Sequence, residues 1–364
     1  MAFTVAALRE TATGERRVAI TPETARKWQA AGASVLLETA AGQSAGFPDE
    51  AYPDVTFTDA LAVAARADIL LCVQPPSPAS LAALRPGSVL VGALRPHTSP
   101  EWLEALGARG VRAHSLELLP RTTRAQAMDI LSSQAAVAGY RAMLIAATSA
   151  PKFFPMLTTA AGTIRPSRVL VIGAGVAGLQ AIATARRLGA QTEGYDVRPE
   201  TREQVESLGA KFLDLGVTAS GTGGYARELS AEERAAQQQA LSDHLRQVDV
   251  VVTTAAVPGR PAPKIITRAM LSGMKAGAVV VDLAAESGGN CEATEAGREV
   301  HVGAVTVIGP TDLAAGAPLH ASEMLARNYL NFGVLLLKDG ALLESPDDEL
   351  ATATQVAGQV TSAA

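Results

Sequence analysis

Cysteine, aromatic residues and excess positive charge are all scarce in this sequence of 364 residues. The two cysteines, Cys72 and Cys291, are far apart, which argues against a disulfide framework or a metal site and favours a reducing compartment. A net charge of −5 provides no basic excess for binding nucleic acid or anionic lipid. Aromatic residues make up only 4% of the chain, so we expect an α/β core built from alanine, valine and leucine.

Long hydrophobic runs are also missing. The most apolar runs, residues 279–285 and 332–337, are far shorter than the ~20 residues that span a bilayer. The N-terminus has no basic segment followed by an apolar one, so it does not resemble a signal peptide. We therefore expect no direct insertion into a membrane.

The order of apolar and polar segments predicts the fold. The chain exceeds the ~250–300 residues of a single core, which predicts two domains. Short apolar strands alternate with helical stretches, and this predicts two Rossmann-like, doubly wound domains with mainly parallel sheets. A long helix at about 321–338 can cross back, so we expect residues 1–134 plus 322–364 to form an N-terminal α/β domain. Residues 135–321 are expected to form the second domain, with a nucleotide in the cleft.

A glycine turn is the strongest motif in the second domain. An apolar strand at 169–172 leads into Gly173, Gly175 and Gly178, spaced as G-x-G-x-x-G, and a helix follows. Gly173 allows a tight turn, Gly175 lets a pyrophosphate approach the backbone, and Gly178 permits close helix–strand packing. The positive end of the helix dipole favours an anion here. The stretch predicts a dinucleotide site.

The residue after the next strand predicts which dinucleotide binds. Asp196 follows the strand at 191–195, where its carboxylate can accept hydrogen bonds from both adenosine ribose hydroxyls, which favours NAD(H) over NADP(H). Arg198 could pair with a 2′-phosphate if it turned inward, although we expect a solvated loop arginine. The residues predicted to bind the cofactor are Gly173, Ala174, Gly175, Val176, Gly178, Asp196, Val197, Arg198, Tyr225, Thr254 and Ala255.

A glycine-rich segment at 216–224, followed by Tyr225, is longer than connections in compact domains usually are. Such a segment can be a lid that closes over bound cofactor, or a surface insertion without a role. The residues themselves leave both interpretations open.

Several stretches together resemble one family, the NAD(H)-binding domain I, or α subunit, of proton-translocating NAD(P) transhydrogenase. The most specific is residues 120–134, PRTTRAQAMDILSSQ, which is similar to that family's Arg-Gln-Asp loop. The others are RRVAITP at 16–22, GGYA at 223–226, ESGGNC at 286–291 and NYLNF at 328–332, so the resemblance covers essentially the whole chain.

The resemblance implies a reaction and a set of partners. Hydride would pass between NADH on this chain and NADP(H) bound by a partner domain, coupled to proton movement across the membrane. The chain would be a homodimer, peripheral on the cytoplasmic face and docked on a membrane-spanning subunit. Tyr225 would lie on the family's mobile loop.

The resemblance also implies site residues. Arg121 and Asp129 would hold the nicotinamide arm, Ser132 would assist, and Gln126 would reach toward the second nucleotide. The alternative for Asp129 and Ser132 is that they simply cap a helix.

Alanine dehydrogenase, a sister family, provides the alternative function. Its catalytic lysine is replaced here by Gln74 and its catalytic histidine by Arg95, and neither can act as a general base near neutral pH. Its second-domain aspartate is replaced by Glu286. His97, two residues after Arg95, leaves an amino-acid dehydrogenase open. A third reading, a nucleotide sensor without turnover, has no need of a polar loop such as 121–129.

Overall fold

The computed structural model describes residues 3–98, 100–216, 229–256 and 260–358. The chain divides into two compact units, which we call unit 1 (Met1–Gln134 with Ala314–Ala364) and unit 2 (Ala135–Leu313). The chain returns to unit 1 at Ala314, earlier than the predicted boundary at residue 322. The last long helix begins at Pro318, earlier than its apolar pattern indicates.

The strands, in chain order, are β1 (Thr4–Ala7), β2 (Ser34–Glu38), β3 (Thr56–Thr58), β4 (Ile69–Cys72), β5 (Val89–Gly92), β6 (Arg112–Ser115), β7 (Leu157–Thr159), β8 (Gly162–Ile164), β9 (Arg168–Ile172), β10 (Gln191–Tyr195), β11 (Lys211–Phe212), β12 (Val250–Thr253), β13 (Val279–Asp282), β14 (Glu299–Val302), β15 (Val305–Ile308), β16 (Leu337–Lys338), β17 (Ala341–Leu342) and β18 (Gln355–Ala357).

The α-helices are α1 (Pro22–Ala30), α2 (Ala60–Arg66), α3 (Pro78–Ala83), α4 (Glu101–Ala108), α5 (Ile130–Ser149), α6 (Val176–Arg187), α7 (Thr201–Ser207), α8 (Ala231–Leu245), α9 (Arg268–Gly273), α10 (Pro318–Gly333) and α11 (Glu349–Thr354). Short 3-10 helices join them, including one at Thr123–Met128.

Unit 1 is built on a seven-stranded sheet in the order β3-β2-β1-β4-β5-β6-β18. Its strands run parallel except for β18, which pairs antiparallel with β6. The central strand β4 is apolar and buried throughout, as expected for a parallel strand covered on both faces. Helix α10 completes the core of this unit, where Tyr329 and Phe332 are fully buried with Trp28 of α1.

Unit 2 repeats the same plan in the order β11-β10-β9-β12-β13-β15-β14, with only β14 antiparallel. Within each sheet the six parallel strands, numbered among themselves in chain order, follow the Rossmann order 3-2-1-4-5-6. The predicted fold class, two Rossmann-like α/β domains with mainly parallel sheets, is confirmed. In such sheets ligands bind beyond the carboxyl ends of the strands, at the point where strand order reverses.

Among the described residues, one helix, α5, is long and apolar enough to cross a membrane by length and composition alone. Core helices of water-soluble proteins pass the same test. Ile130 of α5 packs in the core of unit 1, and Ala142, Met143 and Ala146 pack in the core of unit 2.

Candidate functional site

The glycine turn of unit 2 lies where strand order reverses, between β9 and α6. Gly173 has φ of +99°, and its N–H donates to the carbonyl of Tyr195 at 2.8 Å. A Cβ on Gly173 would lie 2.5 Å from Thr254 Oγ1, and one on Gly178 would lie 1.7 Å from the carbonyl oxygen of Gly173. Both positions therefore need glycine to let strand, turn and helix approach closely.

Gly175 has different surroundings. It is the N-cap of α6, with φ of −80°, and apart from its own residue and its two chain neighbours no described atom lies within 4 Å of the position that its Cβ would occupy. Open space beside backbone at the start of a twelve-residue helix is what a pyrophosphate requires, because the helix dipole favours negative charge there. The turn therefore fits a dinucleotide.

Asp196 lies directly after β10, and its carboxylate is 6% exposed. One oxygen accepts hydrogen bonds from the backbone N–H and the Nε of Arg198, both at 2.9 Å. The other accepts from the N–H of Ala174 at 2.8 Å and from Arg198 Nη2 at 2.7 Å. The four acceptor positions of the carboxylate are all used.

These bonds determine the charge state of Asp196. Burial acts to raise its pKa, but the hydrogen bonds from Arg198 and Ala174 outweigh burial and lower the pKa. The group is therefore a carboxylate at neutral pH. A ribose hydroxyl that binds here must share or replace one of the four bonds, and the Arg198 side chain is the partner that can move.

The expectation of a solvated Arg198 was wrong. Its side chain is only 17% exposed and forms a bidentate ion pair with Asp196. The two-residue spacing lets the backbone after β10 fold the guanidinium back onto the carboxylate. Such a planar fork matches carboxylate geometry.

Thr254 and Ala255 follow β12, the strand beside β9 on the other side. The Thr254 hydroxyl donates to the carbonyl of Gly173 at 3.0 Å, which braces the glycine turn. Ala255 N–H donates to Asn290 Oδ1 at 3.0 Å, and Asn290 Nδ2 donates to the carbonyls of Ala255 and Pro263 at 2.7 and 3.0 Å.

Asn290 is fully buried and holds Ala255 and Pro263, a role that the sequence pattern did not predict. Its appearance in the ESGGNC stretch was the available signal.

The structure thus brings the described nucleotide-site residues to one edge of the unit 2 sheet, at the ends of β9, β10 and β12. Ala174 is buried, whereas Val176 is 44% exposed at the start of α6. Val197 packs partly buried against the core. Tyr225 lies outside the described residues.

The second group of predicted residues, Arg121, Gln126, Asp129 and Ser132, lies in unit 1, on the 121–129 loop and the first turn of α5. Ala125 and Met128 are buried in the core of the unit, while the side chains of Arg121 and Gln126 are exposed. The loop is therefore anchored by its small and apolar side chains and presents its polar ones outward.

Asp129 and Ser132 are bonded to each other. One Asp129 oxygen accepts from the N–H of Ser132 at 2.9 Å, and the other accepts from the Ser132 hydroxyl at 2.5 Å. This is the helix-capping role given above as the alternative for these two residues, and it stabilises the start of α5. It also holds both side chains in fixed orientations at the end of the loop.

At the carboxyl edge of the unit 1 sheet, Gln74 follows β4 and Arg95 follows β5. Arg95 Nη2 donates to Gln74 Oε1 at 2.7 Å, and Gln74 Nε2 donates to Glu15 Oε2 at 3.1 Å. Glu15 in turn pairs with Arg17 at 2.6 Å. Gln74 and Arg95 thus bond to each other, and His97 is exposed on the following turn.

Comparison with known proteins places this geometry in a family. Models of the alanine dehydrogenase/PNT N-terminal and C-terminal domains match residues 6–138 and 142–363. An NAD(P) transhydrogenase α-subunit protein of Rhodospirillum rubrum is 44% identical over 340 residues, covering 90% of this chain and 88% of that protein. The chain belongs to the NAD(P) transhydrogenase α-subunit family. The family resemblance inferred from the sequence motifs is confirmed.

A solved structure agrees with this assignment. The crystal structure of transhydrogenase from Sinorhizobium meliloti matches with a TM-score of 0.88 and 40% identity, covering 97% of this chain and 98% of that one. Alanine dehydrogenase 1 of Staphylococcus aureus is 28% identical over 299 residues, covering 79% of this chain and 74% of that protein. Family and fold together indicate an oxidoreductase of the transhydrogenase type.

Proposed function

We propose that this chain is the NAD(H)-binding subunit of a proton-translocating transhydrogenase. It holds NADH while hydride passes to NADP+ on a partner domain, coupled to proton movement across the membrane. Two features taken together support the proposal. Unit 2 has a complete dinucleotide turn. In unit 1, Gln74 and Arg95 bond to each other where an amino-acid dehydrogenase needs a base.

The reaction explains why no base is required. Bound NADH supplies a hydride, one proton with two electrons, from C4 of its dihydronicotinamide ring to C4 of the nicotinamide of NADP+. No proton is exchanged with a side chain, so the protein contributes position instead. Orientation alone can lower such a barrier by ~7–11 kcal/mol.

The residues of the two units have separate tasks in this proposal. In unit 2 the glycine turn holds the pyrophosphate and Asp196 holds the adenosine ribose. In unit 1 Arg121 and Asp129 hold the nicotinamide arm with help from Ser132, and Gln126 reaches toward the second nucleotide. The exposure of Arg121 and Gln126 on an anchored loop supports these roles.

The proposal includes partners. The chain forms a homodimer that docks on the cytoplasmic face of a membrane-spanning subunit, alongside the NADP(H)-binding domain. The relatives named as transhydrogenase α subunits support the existence of partner subunits.

One assay tests the function. The purified chain is mixed with NADH, an NADP(H)-loaded partner domain and the acetylpyridine analogue of NAD+, and a parallel reaction receives NADH, pyruvate and ammonium. We expect reduction of the acetylpyridine analogue only when the partner is present. Amino-acid formation would identify an alanine-type dehydrogenase instead, and absence of turnover in both reactions would leave a nucleotide-binding protein without catalysis.

A further inference from the structure

Two asparagines of α10 hold the backbone of the 121–129 loop. Asn328 Nδ2 and Asn331 Nδ2 each donate to the carbonyl oxygen of Ala127 at 2.9 Å. Ala127 lies directly after Gln126 and two residues before Asp129. The carbonyl has two lone pairs, so the two asparagines use its full capacity as an acceptor.

Asn328 also holds the start of α5. Its Oδ1 accepts a hydrogen bond from the Ser133 hydroxyl at 2.7 Å, and Ser133 is the neighbour of Ser132. The Asn328 residue is 8% exposed, whereas Asn331 is exposed. Asn328 therefore joins, through one buried amide, the two segments that carry Gln126 and Ser132.

Further contacts fasten the same region to the C-terminal portion of unit 1. Gln134 Nε2 donates to the carbonyl of Ala321 in α10 at 3.1 Å. Arg124 of the loop forms an ion pair with Asp348, whose own carboxylate caps α11. The C-terminal segment of unit 1 thus contacts the loop at Arg124 and Ala127. It also contacts the start of α5 at Ser133 and Gln134.

We propose that Asn328 is a positioning residue for hydride transfer: it fixes the backbone on which Gln126, Asp129 and Ser132 are presented. The inference rests on the proposed function of these three side chains. Helix α10 then supports hydride transfer through Asn328, in addition to completing the core of unit 1.

The expected signature is a loss of rate with little loss of affinity. The glycine turn and Asp196 hold the pyrophosphate and ribose independently of the loop, so most of the NADH affinity is retained. Reaction geometry is more demanding, because a displacement of about 1 Å can cost ~100-fold in rate. For Asn328→Ala we expect kcat to fall roughly 10–100-fold, while the Kd for NADH changes less than about threefold.

Three further variants distinguish the hydrogen bond that Asn328 donates to Ala127 from the one that it accepts from Ser133. Asn328→Asp keeps the acceptor for Ser133 but places a buried carboxylate oxygen against the Ala127 carbonyl oxygen, which repels it, and we expect this variant to be as slow as Asn328→Ala. Ser133→Ala keeps the bond to Ala127, and Asn331→Ala removes one exposed bond to the same carbonyl. We expect kcat to fall less than about fivefold for both, because in each variant Asn328 still donates to the Ala127 carbonyl.

Each variant is measured in the partner-dependent assay, by NADH titration and by thermal unfolding, and the fluorescence of bound NADH reports the surroundings of its nicotinamide ring. We expect Asn328→Ala to stay folded at the assay temperature and to change that fluorescence. The inference is overturned if Asn328→Ala keeps the wild-type kcat, or if kcat and NADH affinity fall in parallel with folded protein.

The proposed function of the loop has its own control. If Arg121→Ala and Gln126→Asn transfer hydride at the wild-type rate, the loop itself is not part of the site. If those variants are slow and Asn328→Ala is not, the loop acts without the support of α10. The two failures are therefore distinguishable.

Discussion

Gly175 and Gly178 differ in what surrounds them, and this allows binding and stability to be separated at single residues. A methyl group at Gly178 would lie 1.7 Å from the carbonyl oxygen of Gly173, so α6 must move to admit it. We expect Gly178→Ala to lower the free energy of unfolding by ~1–3 kcal/mol, the usual effect of overpacking. Thermal or urea unfolding measures this loss.

Gly175→Ala is the matched change. Nothing described lies within 4 Å of its methyl group, and φ of −80° suits alanine, so we expect at most ~1 kcal/mol of destabilisation at this N-cap. The methyl group nevertheless fills the space that a pyrophosphate needs. We expect the Kd for NADH to rise about tenfold or more, the loss of one charge-assisted hydrogen bond. Wild-type affinity in this variant would mean that the pyrophosphate lies elsewhere.

At the residue level, motif spacing predicted those site residues whose positions depend only on nearby sequence. The three glycines and Asp196 follow from the order strand, turn, helix, strand. The Arg198 ion pair was missed because it depends on a side-chain rotamer. Asn290 was given no role because its partner, Ala255, is 35 residues away in sequence and meets it only in the folded sheet.

Among the elements, apolar central strands were predicted well and edge elements poorly. The strands predicted at 169–172 and 191–195 are observed as β9 and β10, within one residue of the predicted ends. The edge strands β3 and β18 have only three residues each and are partly exposed, so they leave no periodic signal. The last long helix ends at Gly333, whose Cβ would collide with Trp28, a contact invisible in sequence.

A buried histidine and a half-buried glutamate of unit 1 make opposite contributions to stability as pH changes. Burial, helped by the charge of Arg112, lowers the pKa of His114 in β6 from 6.5 to about 4. Burial raises the pKa of Glu10 from 4.5 to about 7, although the N–H groups of Val73 and Gln74 donate to its carboxylate. Each shift corresponds to roughly 3 kcal/mol between the charge states.

The sign of each contribution follows from which state binds more protons. Unfolded His114 binds more protons than folded His114 between pH 6.5 and 4, so its contribution to stability is lost as pH falls. Folded Glu10 binds more protons than unfolded Glu10 between pH 4.5 and 7, so its contribution is lost as pH rises. The two effects oppose each other over most of this range.

Single variants should reveal the two slopes. Relative to wild type, we expect the unfolding free energy of Glu10→Gln to gain roughly 3 kcal/mol as pH rises from 4.5 to 7. For His114→Gln we expect a similar relative gain as pH falls from 6.5 to 4. Urea unfolding at several pH values measures both. If the difference from wild type does not vary with pH, folding does not shift the pKa of that group in the direction given above.

For the whole molecule, the two units share a strand order but differ at the edge where ligands bind. In unit 2 that edge has a glycine turn with open space at Gly175. In unit 1 side chains fill it: Glu10 accepts from the N–H groups after β4, and Gln74 bridges Glu15 and Arg95. Sequence alternation predicted both sheets, but only the packed side chains show why one edge suits a dinucleotide and the other does not.

The proposed homodimer requires an apolar surface, and the β7–β8 hairpin provides one. Every residue of its two strands is exposed, and the hairpin with its lead-in displays Phe153, Met156, Leu157 and Ile164 with exposures of 54, 66, 38 and 43%. An isolated two-stranded hairpin has little stability of its own in water. Exposed apolar side chains commonly mark a protein interface, so this hairpin is the surface on which the proposed homodimer can be tested.

Met156→Glu tests this surface. A fully buried methionine contributes ~1.5–3 kcal/mol, and a glutamate in its place must also be desolvated, so we expect the dimer dissociation constant to rise at least ~tenfold. Sedimentation or light scattering over a range of concentrations measures the change. Leu61→Glu is the matched control, because Leu61 is 53% exposed but lies on α2 of unit 1, outside the hairpin. If both variants dimerise like wild type, the hairpin is not the interface; if both dissociate, the added charge rather than the hairpin is responsible.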